Sequence, residues 1–123
     1  MPSMTRRTAL AAFAACALAT AVAFPAGAQP KAGEPLKIGF VYVSPIGDAG
    51  WTFQHDTGRK EMEKALGAKV TSKYIESVPE GADAERVIRE LAQSGHQLIF
   101  TTSFGYMNPT IKVAGTFPKT QFE

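Results

Sequence analysis

Apolar segments alternate with amphipathic ones from residue 37 onward. Residues 37–43 and 97–102 are almost continuously apolar, which is typical of strands buried on both faces of a parallel sheet. Residues 69–76 also favour a strand, and residues 121–123 begin another. The pattern therefore predicts four strands, numbered one to four in chain order.

The segment between strands one and two predicts a helix over residues 51–66. Gly67 follows it as a residue that readily adopts the conformation required at a helix end. Gly58 costs a helix interior about 1 kcal/mol relative to alanine, so its presence predicts close packing against a neighbour. The apolar face of this helix consists of Met62, Ala65 and Leu66.

Two more helices are predicted between the later strands. Asp83 is expected to cap the start of the second helix, and Gly95 is expected to end it. Asn108 and Pro109 are typical of an N-cap and first helical residue, so the third helix is predicted from Asn108 through Phe117. The second helix has apolar residues at i, i+3, i+4, i+7 and i+8, namely Ala84, Val87, Ile88, Leu91 and Ala92.

The order β-α-β-α-β-α-β, with short connections, predicts an α/β fold built on a doubly wound parallel sheet. A strand order of 2-1-3 would place strands one and three side by side, with their helices on opposite faces. Ligands bind such sheets beyond the carboxyl ends of the strands, where the strand order reverses. The chain stops within the predicted fourth strand, so we expect it to be the incomplete first part of a longer protein.

The loops after strands one and three, residues 44–51 and 103–108, therefore form the expected ligand site. Both loops contain aromatic side chains and small polar groups. Flat aromatic faces beside a few directional hydrogen-bonding groups suit a flat heterocycle or a sugar. The candidate ligand-binding residues are Ser44, Asp48, Trp51, Ser103, Phe104, Tyr106 and Asn108.

Several of these residues have an alternative, structural interpretation. Trp51 could close the first helix onto the sheet, and Asp48 could cap that helix. Ser103 could be an ordinary serine at a strand end, and Phe104 and Tyr106 could be packing residues. The sequence leaves both interpretations open for each residue.

The two histidines, His55 and His96, are expected to face solvent or to be satisfied within the fold. They share no metal-ligand spacing with each other or with the acidic residues. We therefore expect no metal ion and no other cofactor.

The first 28 residues have the three-part pattern of a secretory signal peptide. Arg6 and Arg7 form the positive region, residues 8–24 are uncharged and mostly apolar, and small residues precede the cleavage site after Ala28. The apolar run is shorter than the ~18 residues that a membrane span usually needs. Two variants remain open: a twin-arginine export signal and a lipid anchor at Cys16.

Residues 29–36 are polar, contain two prolines and are predicted to form a flexible leader. The chain carries 13 basic and 11 acidic residues, and its net charge of +2 comes from the two arginines of the predicted signal. The mature part is therefore neutral overall, which argues against nucleic acid as a partner. Its single cysteine lies in the signal, so no disulfide is expected after cleavage.

Three segments carry a family resemblance. They read GDAGWTFQHDTG at residues 47–58, VPEGAD at residues 78–83 and FTTSFG at residues 100–105. Together they resemble the basic-membrane-protein family (BMP, PnrA-like) of ABC transporter substrate-binding proteins, and the resemblance extends over residues 37–123. It implies the first lobe of a two-lobed type I periplasmic binding fold that binds a purine base or nucleoside. It also implies a non-enzymatic periplasmic protein that works with an ABC permease in the inner membrane.

The resemblance further implies roles for individual residues. Asp48 would be the loop acid near the ligand, and Trp51 would take the place of the stacking aromatic residue. Ser103 and Phe104 would line the cleft from strand three. Thr52 stands where many relatives have asparagine, so a free base such as adenine is expected as well as a nucleoside.

Two other functions fit parts of the pattern. Residues 101–105 resemble the nucleophile elbow of an exported α/β hydrolase around Ser103, but Thr101 stands where that motif has glycine, and no histidine–acid partner is identifiable. An exported ligand-sensing receptor subunit of the same fold would share the binding site without serving transport. A receiver domain and a Rossmann dinucleotide site are excluded, because strand one ends without acids and no G-x-G-x-x-G follows it.

Overall fold

The computed structural model describes residues 32–123. The predicted signal peptide, including Cys16, and residues 29–31 of the predicted leader lie outside the described residues. The first strand begins at Leu36, the last residue of the predicted leader. No helix within residues 32–123 is long and apolar enough to cross a membrane.

Four strands and three helices alternate in the predicted order. They are β1 (Leu36–Val41), α1 (Trp51–Leu66), β2 (Val70–Ile75), α2 (Ala82–Gln93), β3 (Leu98–Thr101), α3 (Met107–Ala114) and β4 (Gln121–Phe122). Short 3₁₀ turns at Gly67–Lys69 and Phe104–Tyr106 precede β2 and α3. The predicted α/β class is confirmed, and the strand ends differ from the prediction by one or two residues.

All four strands are parallel and lie in the order β2-β1-β3-β4. Phe40 of β1 pairs with Tyr74 of β2 on one side and with Phe100 of β3 on the other. Helices α2 and α3 cover one face of the sheet, and α1 packs on the opposite face. The predicted order 2-1-3 is therefore confirmed, and the carboxyl ends of β1 and β3 are neighbours.

The face under α2 and α3 holds the larger part of the core. Side chains of α2 pack there against Val41 and Ile99 of the sheet and Val113 of α3. Full burial of a large aliphatic side chain contributes about 1.5–3 kcal/mol, so this face provides most of the apolar stabilisation. The buried residues of α2 are those predicted from the helical spacing, Ala84, Val87, Ile88, Leu91 and Ala92.

The opposite face, under α1, is rich in aromatic residues. Phe40 stacks on Phe100 with ring centroids 4.9 Å apart, and Tyr42 stacks on Tyr74 at 5.8 Å. Met62 of α1 is half-buried against this cluster. The aromatic pairs join neighbouring strands on this side of the sheet.

The buried side of α1 is mostly polar, so the predicted apolar face is confirmed at Met62 and wrong at Ala65 and Leu66. Leu66 is 42% exposed and Ala65 is exposed, whereas Thr52, Asp56 and Arg59 are buried. The apolar spacing misleads because these polar side chains have partners within the fold, which lowers the cost of burying them.

Asp56 and Arg59 form a buried ion pair. Arg59 Nε donates to Asp56 Oδ1 at 2.8 Å, and Lys60 Nζ lies 2.8 Å from Asp56 Oδ2. The Arg59 guanidinium also donates to Ser72 Oγ of β2 at 3.0 Å and lies over the Tyr74 ring, 4.7 Å from its centroid. Charged and polar contacts therefore join α1 to β2.

The Asp56 carboxyl is ionised at neutral pH. Burial alone raises its pKa, but the hydrogen bonds from Lys60 and Arg59 outweigh burial and hold the pKa below its ordinary value. A carboxyl of this kind stabilises the fold above its unfolded pKa of 3.8, and the contribution is lost as the pH falls through the folded pKa. The buried pair is therefore intact throughout the neutral range.

Gly58 is not a close-packing position, contrary to the prediction. A Cβ added there would meet no atom within 4 Å. We therefore expect Gly58→Ala to stabilise the protein by about 1 kcal/mol, the difference between glycine and alanine in a helix interior. Urea unfolding measures this change, and a destabilised variant would show that the space beside the helix is occupied in solution.

The glycines predicted at the ends of two helices are confirmed, whereas the two predicted N-cap residues are wrong. Gly67 after α1 and Gly95 after α2 both have positive φ, of 53° and 84°. Asp83 and Asn108 were predicted to be N-caps, but each is the second residue of its helix, and neither helix has a side-chain cap. Asn108 lies too late because the 3₁₀ turn continues directly into α3 at Met107.

Candidate ligand-binding site at the carboxyl edge

Three connections meet at the carboxyl edge of the sheet. They are the β1–α1 loop, residues 42–50, the β2–α2 loop, residues 76–81, and the β3–α3 connection, residues 102–106. The Val78 N–H donates to the Tyr42 carbonyl at 3.0 Å, which joins the first two. This edge is the one at which doubly wound sheets bind their ligands.

The β1–α1 loop is fixed at two points. Ser44 Oγ and Thr52 Oγ1 are hydrogen-bonded at 2.7 Å, and the Ile46 N–H donates to the Glu76 carboxylate at 2.9 Å. Asp48 lies in the remaining part of the loop and is exposed to solvent. The alternative role of Asp48 as a helix cap is wrong, because α1 begins without a side-chain cap.

Trp51 begins α1 and is 64% exposed, so it is not the core residue of the alternative interpretation. Its indole Nε1–H donates to the Thr102 carbonyl at the end of β3. His55, one helical turn later, packs edge-on against the indole, with centroids 4.8 Å apart and planes at 63°. A shallow pocket of about 460 Å³ is lined by Trp51, His55, Gly50 and Gln54. The ring is therefore held in place while much of its surface stays open.

The β3–α3 connection presents Phe104. Thr102 is buried, and its Oγ1 donates to the Val41 carbonyl at 2.8 Å. Ser103 Oγ donates to a Glu80 carboxylate oxygen at 2.6 Å. Phe104 follows on the 3₁₀ turn and is 88% exposed. The Ser103 hydroxyl thus faces a carboxylate rather than the histidine that would activate a serine nucleophile.

Tyr106 is a packing residue, and its prediction as a ligand contact is wrong. Its side chain is completely buried, and its hydroxyl donates to the Val78 carbonyl at 2.6 Å. Burial, with a smaller contribution from the charge of Glu80, raises the pKa of Tyr106 to about 12. A ligand in the cleft would therefore meet neither its ring nor its hydroxyl.

The structure brings most of the other predicted residues to this edge. Asn108 is exposed in the first turn of α3. The predicted residues at the carboxyl edge itself are Ser44, Asp48, Trp51, Ser103 and Phe104. Two exposed aromatic rings and three polar side chains thus flank the junction of β1 and β3.

Comparison with known proteins decides the family. The family model described as ABC transporter substrate-binding protein PnrA-like (Bmp) matches residues 36–123, which include every helix and strand described above. The chain belongs to this family. Its members are generally not enzymes; they bind a small solute, work with a transporter permease, and are typically exported to the periplasm or membrane-associated.

Curated relatives carry two different ligand names. The chain is 56% identical over 106 residues to a purine-binding protein of Brucella abortus, covering 86% of this chain and 30% of that protein. It is 39% identical over 97 residues to a putative ABC transporter glucose-binding protein of Haloferax volcanii, covering 79% of this chain and 24% of that protein. The chain thus spans about a third or less of the length of these relatives.

Solved structures agree on the fold. An ABC transporter solute-binding protein from Conexibacter woesei matches with a TM-score of 0.62 and 23% identity, over 71% of this chain and 28% of that one. A solute-binding protein from Aeropyrum pernix matches with a TM-score of 0.59 and 24% identity, over 72% and 24%. The described residues thus have the fold of one lobe of a periplasmic binding protein.

The sequence prediction missed the side chains that hold these loops in place. Glu76 and Glu80 lie in the β2–α2 loop and accept hydrogen bonds from the two flanking connections. Thr52 is hydrogen-bonded to Ser44 within the β1–α1 connection, and Thr102 donates to the Val41 carbonyl at the end of β1. Glu80 lies within the family-like VPEGAD segment, which was the one signal that could have directed attention to it.

A second cavity lies at the amino-terminal edge of the sheet, away from these loops. It has a volume of about 350 Å³. His96 on its wall is hydrogen-bonded to the Leu91 carbonyl at 2.9 Å, and burial lowers its pKa. The residues that line this cavity are Ala92, Gly95, His96, Gln97, Thr116, Phe117, Pro118, Lys119 and Thr120.

The described residues contain no group of three or more His, Cys, Asp or Glu side chains that could hold a metal ion.

Tyr106→Phe is expected to reduce the loss of stability at alkaline pH. The pKa of the phenol rises from 10.0 to about 12 on folding, so its contribution is complete below the lower value and is lost as the pH rises towards the higher one. At neutral pH the variant should be about 1 kcal/mol less stable, because it lacks the hydrogen bond to Val78.

Urea unfolding of both proteins across this alkaline range measures the difference. Burial also raises the pKa of Tyr42 to about 12, so the free energy of unfolding of the variant should still fall with pH, but less steeply. An equally steep fall in the variant and the wild type would contradict the prediction.

Proposed function

We propose that this chain is part of the periplasmic solute-binding component of an ABC importer whose ligand is a purine base or nucleoside. The observation that carries the proposal is the pair of exposed aromatic rings, Trp51 and Phe104, at the carboxyl edge of the sheet. The name of the Brucella abortus relative supports a purine, since that protein is 56% identical over 106 residues.

Trp51 suits stacking rather than hydrogen bonding to a ligand. The only N–H of its side chain already donates to the Thr102 carbonyl. The indole π-face is therefore the part of the side chain that a ligand can contact. The same hydrogen bond and the edge contact of His55 fix the ring before the ligand arrives. Pre-organisation of this kind lowers the entropic cost of binding.

The polar groups at the edge would orient the purine. Asp48 is exposed and can accept hydrogen bonds from ring or exocyclic N–H groups, while the Ser103 hydroxyl oxygen can accept one more and keep its own hydrogen bond to Glu80. Thr52 is buried and hydrogen-bonded to Ser44, so it is not free to contact a ribose. This arrangement supports a free base such as adenine over a nucleoside.

Transport would follow from closure of two lobes rather than from chemistry. The ligand would stack on Trp51 in the open cleft, and a second lobe would close over it by a hinge motion. A permease in the inner membrane would recognise the closed form. Residues 1–28, as a signal peptide, would deliver the protein to the periplasm.

A sugar is the second candidate ligand, because the Haloferax volcanii relative is named a glucose-binding protein. Aromatic faces with flanking polar groups also bind sugars. A ligand-sensing subunit of the same fold would use the same site, and neighbouring genes for a permease and an ATPase would distinguish transport from sensing.

Titration calorimetry on the complete protein tests the proposal. The protein is first unfolded and refolded to remove bound ligand, and adenine, adenosine, guanosine and inosine are then added, with glucose, ribose and an amino acid as controls. We expect tight one-to-one binding of a purine, with adenine ahead of adenosine. Heat with glucose and none with any purine would overturn the purine assignment and favour the sugar.

A further inference from the structure

The carboxylate of Glu80 lies directly on the turn that carries Phe104. One of its oxygens accepts the hydrogen bond from Ser103 Oγ at 2.6 Å. Both oxygens also lie against Gly105, so close that a Cβ added to Gly105 would overlap the carboxylate. Glu80 comes from the β2–α2 loop, although β2 and β3 are separated in the sheet by β1.

The β2–α2 loop holds this turn at both of its ends. Glu80 binds Ser103 before the turn, and the Val78 carbonyl accepts the Tyr106 hydroxyl at 2.6 Å after it. Phe104 lies between these two points and is 88% exposed. A ring that packs on so little of its own domain depends on its backbone for its position.

We propose that Glu80 is a positioning residue of the ligand site, which fixes the Phe104 turn at the cleft and requires glycine at position 105. The inference rests on the proposed function, because it assumes that Phe104 contacts the solute. Glu80 acts through the turn and not through its charge on the ligand. Its effect should therefore depend on the hydrogen bond that it accepts from Ser103.

Gly105 offers a test that leaves the fold in place. Its φ is not positive, so alanine is compatible with the backbone there. The three heavy atoms nearest to the new methyl group all belong to the end of the flexible Glu80 side chain. Gly105→Ala should therefore displace the carboxylate and break its contact with Ser103, at little cost in folding stability.

The experiment compares variants of the complete protein by titration calorimetry with adenine and by amide exchange of Tyr106. The Tyr106 N–H donates to the Ser103 carbonyl at 3.0 Å and reports whether the turn is closed. Glu80→Ala and Gly105→Ala should each weaken adenine binding by about three- to tenfold, the range for loss of one such hydrogen bond. Both should also speed exchange of the Tyr106 amide.

Two comparisons separate positioning from other roles. Glu80→Gln keeps an oxygen that accepts from Ser103, so its affinity and exchange should stay close to wild type. In the Glu80→Ala background, Gly105→Ala should have no additional effect, because the group it displaces is absent. Gly115→Ala is the matched control, since its added methyl group would make only ordinary contacts of 3.7 Å or more.

Three results would overturn the inference. One is an unchanged affinity and exchange rate in folded Gly105→Ala. Another is a loss in Glu80→Gln as large as that in Glu80→Ala, which would mean that the charge acts on the ligand directly. The third is additive losses in the double variant. If the wild type binds no purine, the proposed function fails, and the amide exchange of the same variants still decides whether Glu80 holds the turn.

Discussion

Trp51→Ala is expected to weaken purine binding by about 1–3 kcal/mol, which is roughly five- to 150-fold in the dissociation constant. The indole is 64% exposed at the carboxyl edge, and its N–H is engaged with Thr102. The surface it offers a ligand is therefore its stacking face. Because the ring packs on so little of the core, its removal should change the free energy of unfolding much less than it changes affinity.

Trp51→Phe is the matched control for this prediction. Phenylalanine keeps a stacking ring but cannot donate to the Thr102 carbonyl, so it should recover much of the affinity. Titration calorimetry on both variants, with circular dichroism to verify folding, makes the comparison. An unchanged dissociation constant in folded Trp51→Ala would remove Trp51 from the site.

Arg59→Met is expected to cost about 3 kcal/mol of stability, because it leaves Asp56 buried without its buried ion-pair partner. The Asp56 side chain is 1% exposed, and its remaining ion-pair partner, Lys60, is 64% exposed. The double variant Asp56→Ala/Arg59→Met should regain most of the loss, since it removes both buried charges. Urea unfolding of the single and double variants at neutral pH measures this coupling.

Arg86→Met provides the control on the surface of α2. Arg86 is 59% exposed and pairs with Asp83 and Glu90, which are similarly exposed. Breaking such exposed pairs changes stability little, because solvent screens both charges. Equal losses in Arg59→Met and Arg86→Met would contradict the buried ion pair.

The sheet and α2 could be predicted from the sequence because their patterns are set by burial against the same core. The runs that became β1 and β3 are apolar on both faces, and α2 carries Val87, Ile88 and Leu91 at helical spacing. Helix α1 was predicted in extent but not in orientation. Its buried face holds Asp56 and Arg59, and an apolar pattern cannot reveal polar residues that neutralise each other.

The candidate site could be predicted only in part, for a similar reason. Trp51 and Phe104 come from loops whose position at the carboxyl edge follows from strand order alone. Tyr106, like Phe104, is an aromatic residue in the connection after β3, so the sequence does not distinguish them. In the structure the Tyr106 ring is buried and its hydroxyl donates to the Val78 carbonyl. The role of Glu80 could not be predicted, because an acid in a surface loop has no spacing that distinguishes a structural contact from a solvated charge.

A crystal structure of the complete protein with the purine that binds most tightly would be the decisive test of the proposed ligand site. We expect a purine ring in van der Waals contact with the indole face of Trp51, bordered by Phe104 and within hydrogen-bonding reach of Asp48. The Trp51 N–H should still donate to the Thr102 carbonyl. A purine bound away from the carboxyl edge, or one that leaves both aromatic rings without contact, would show that the ligand site lies elsewhere.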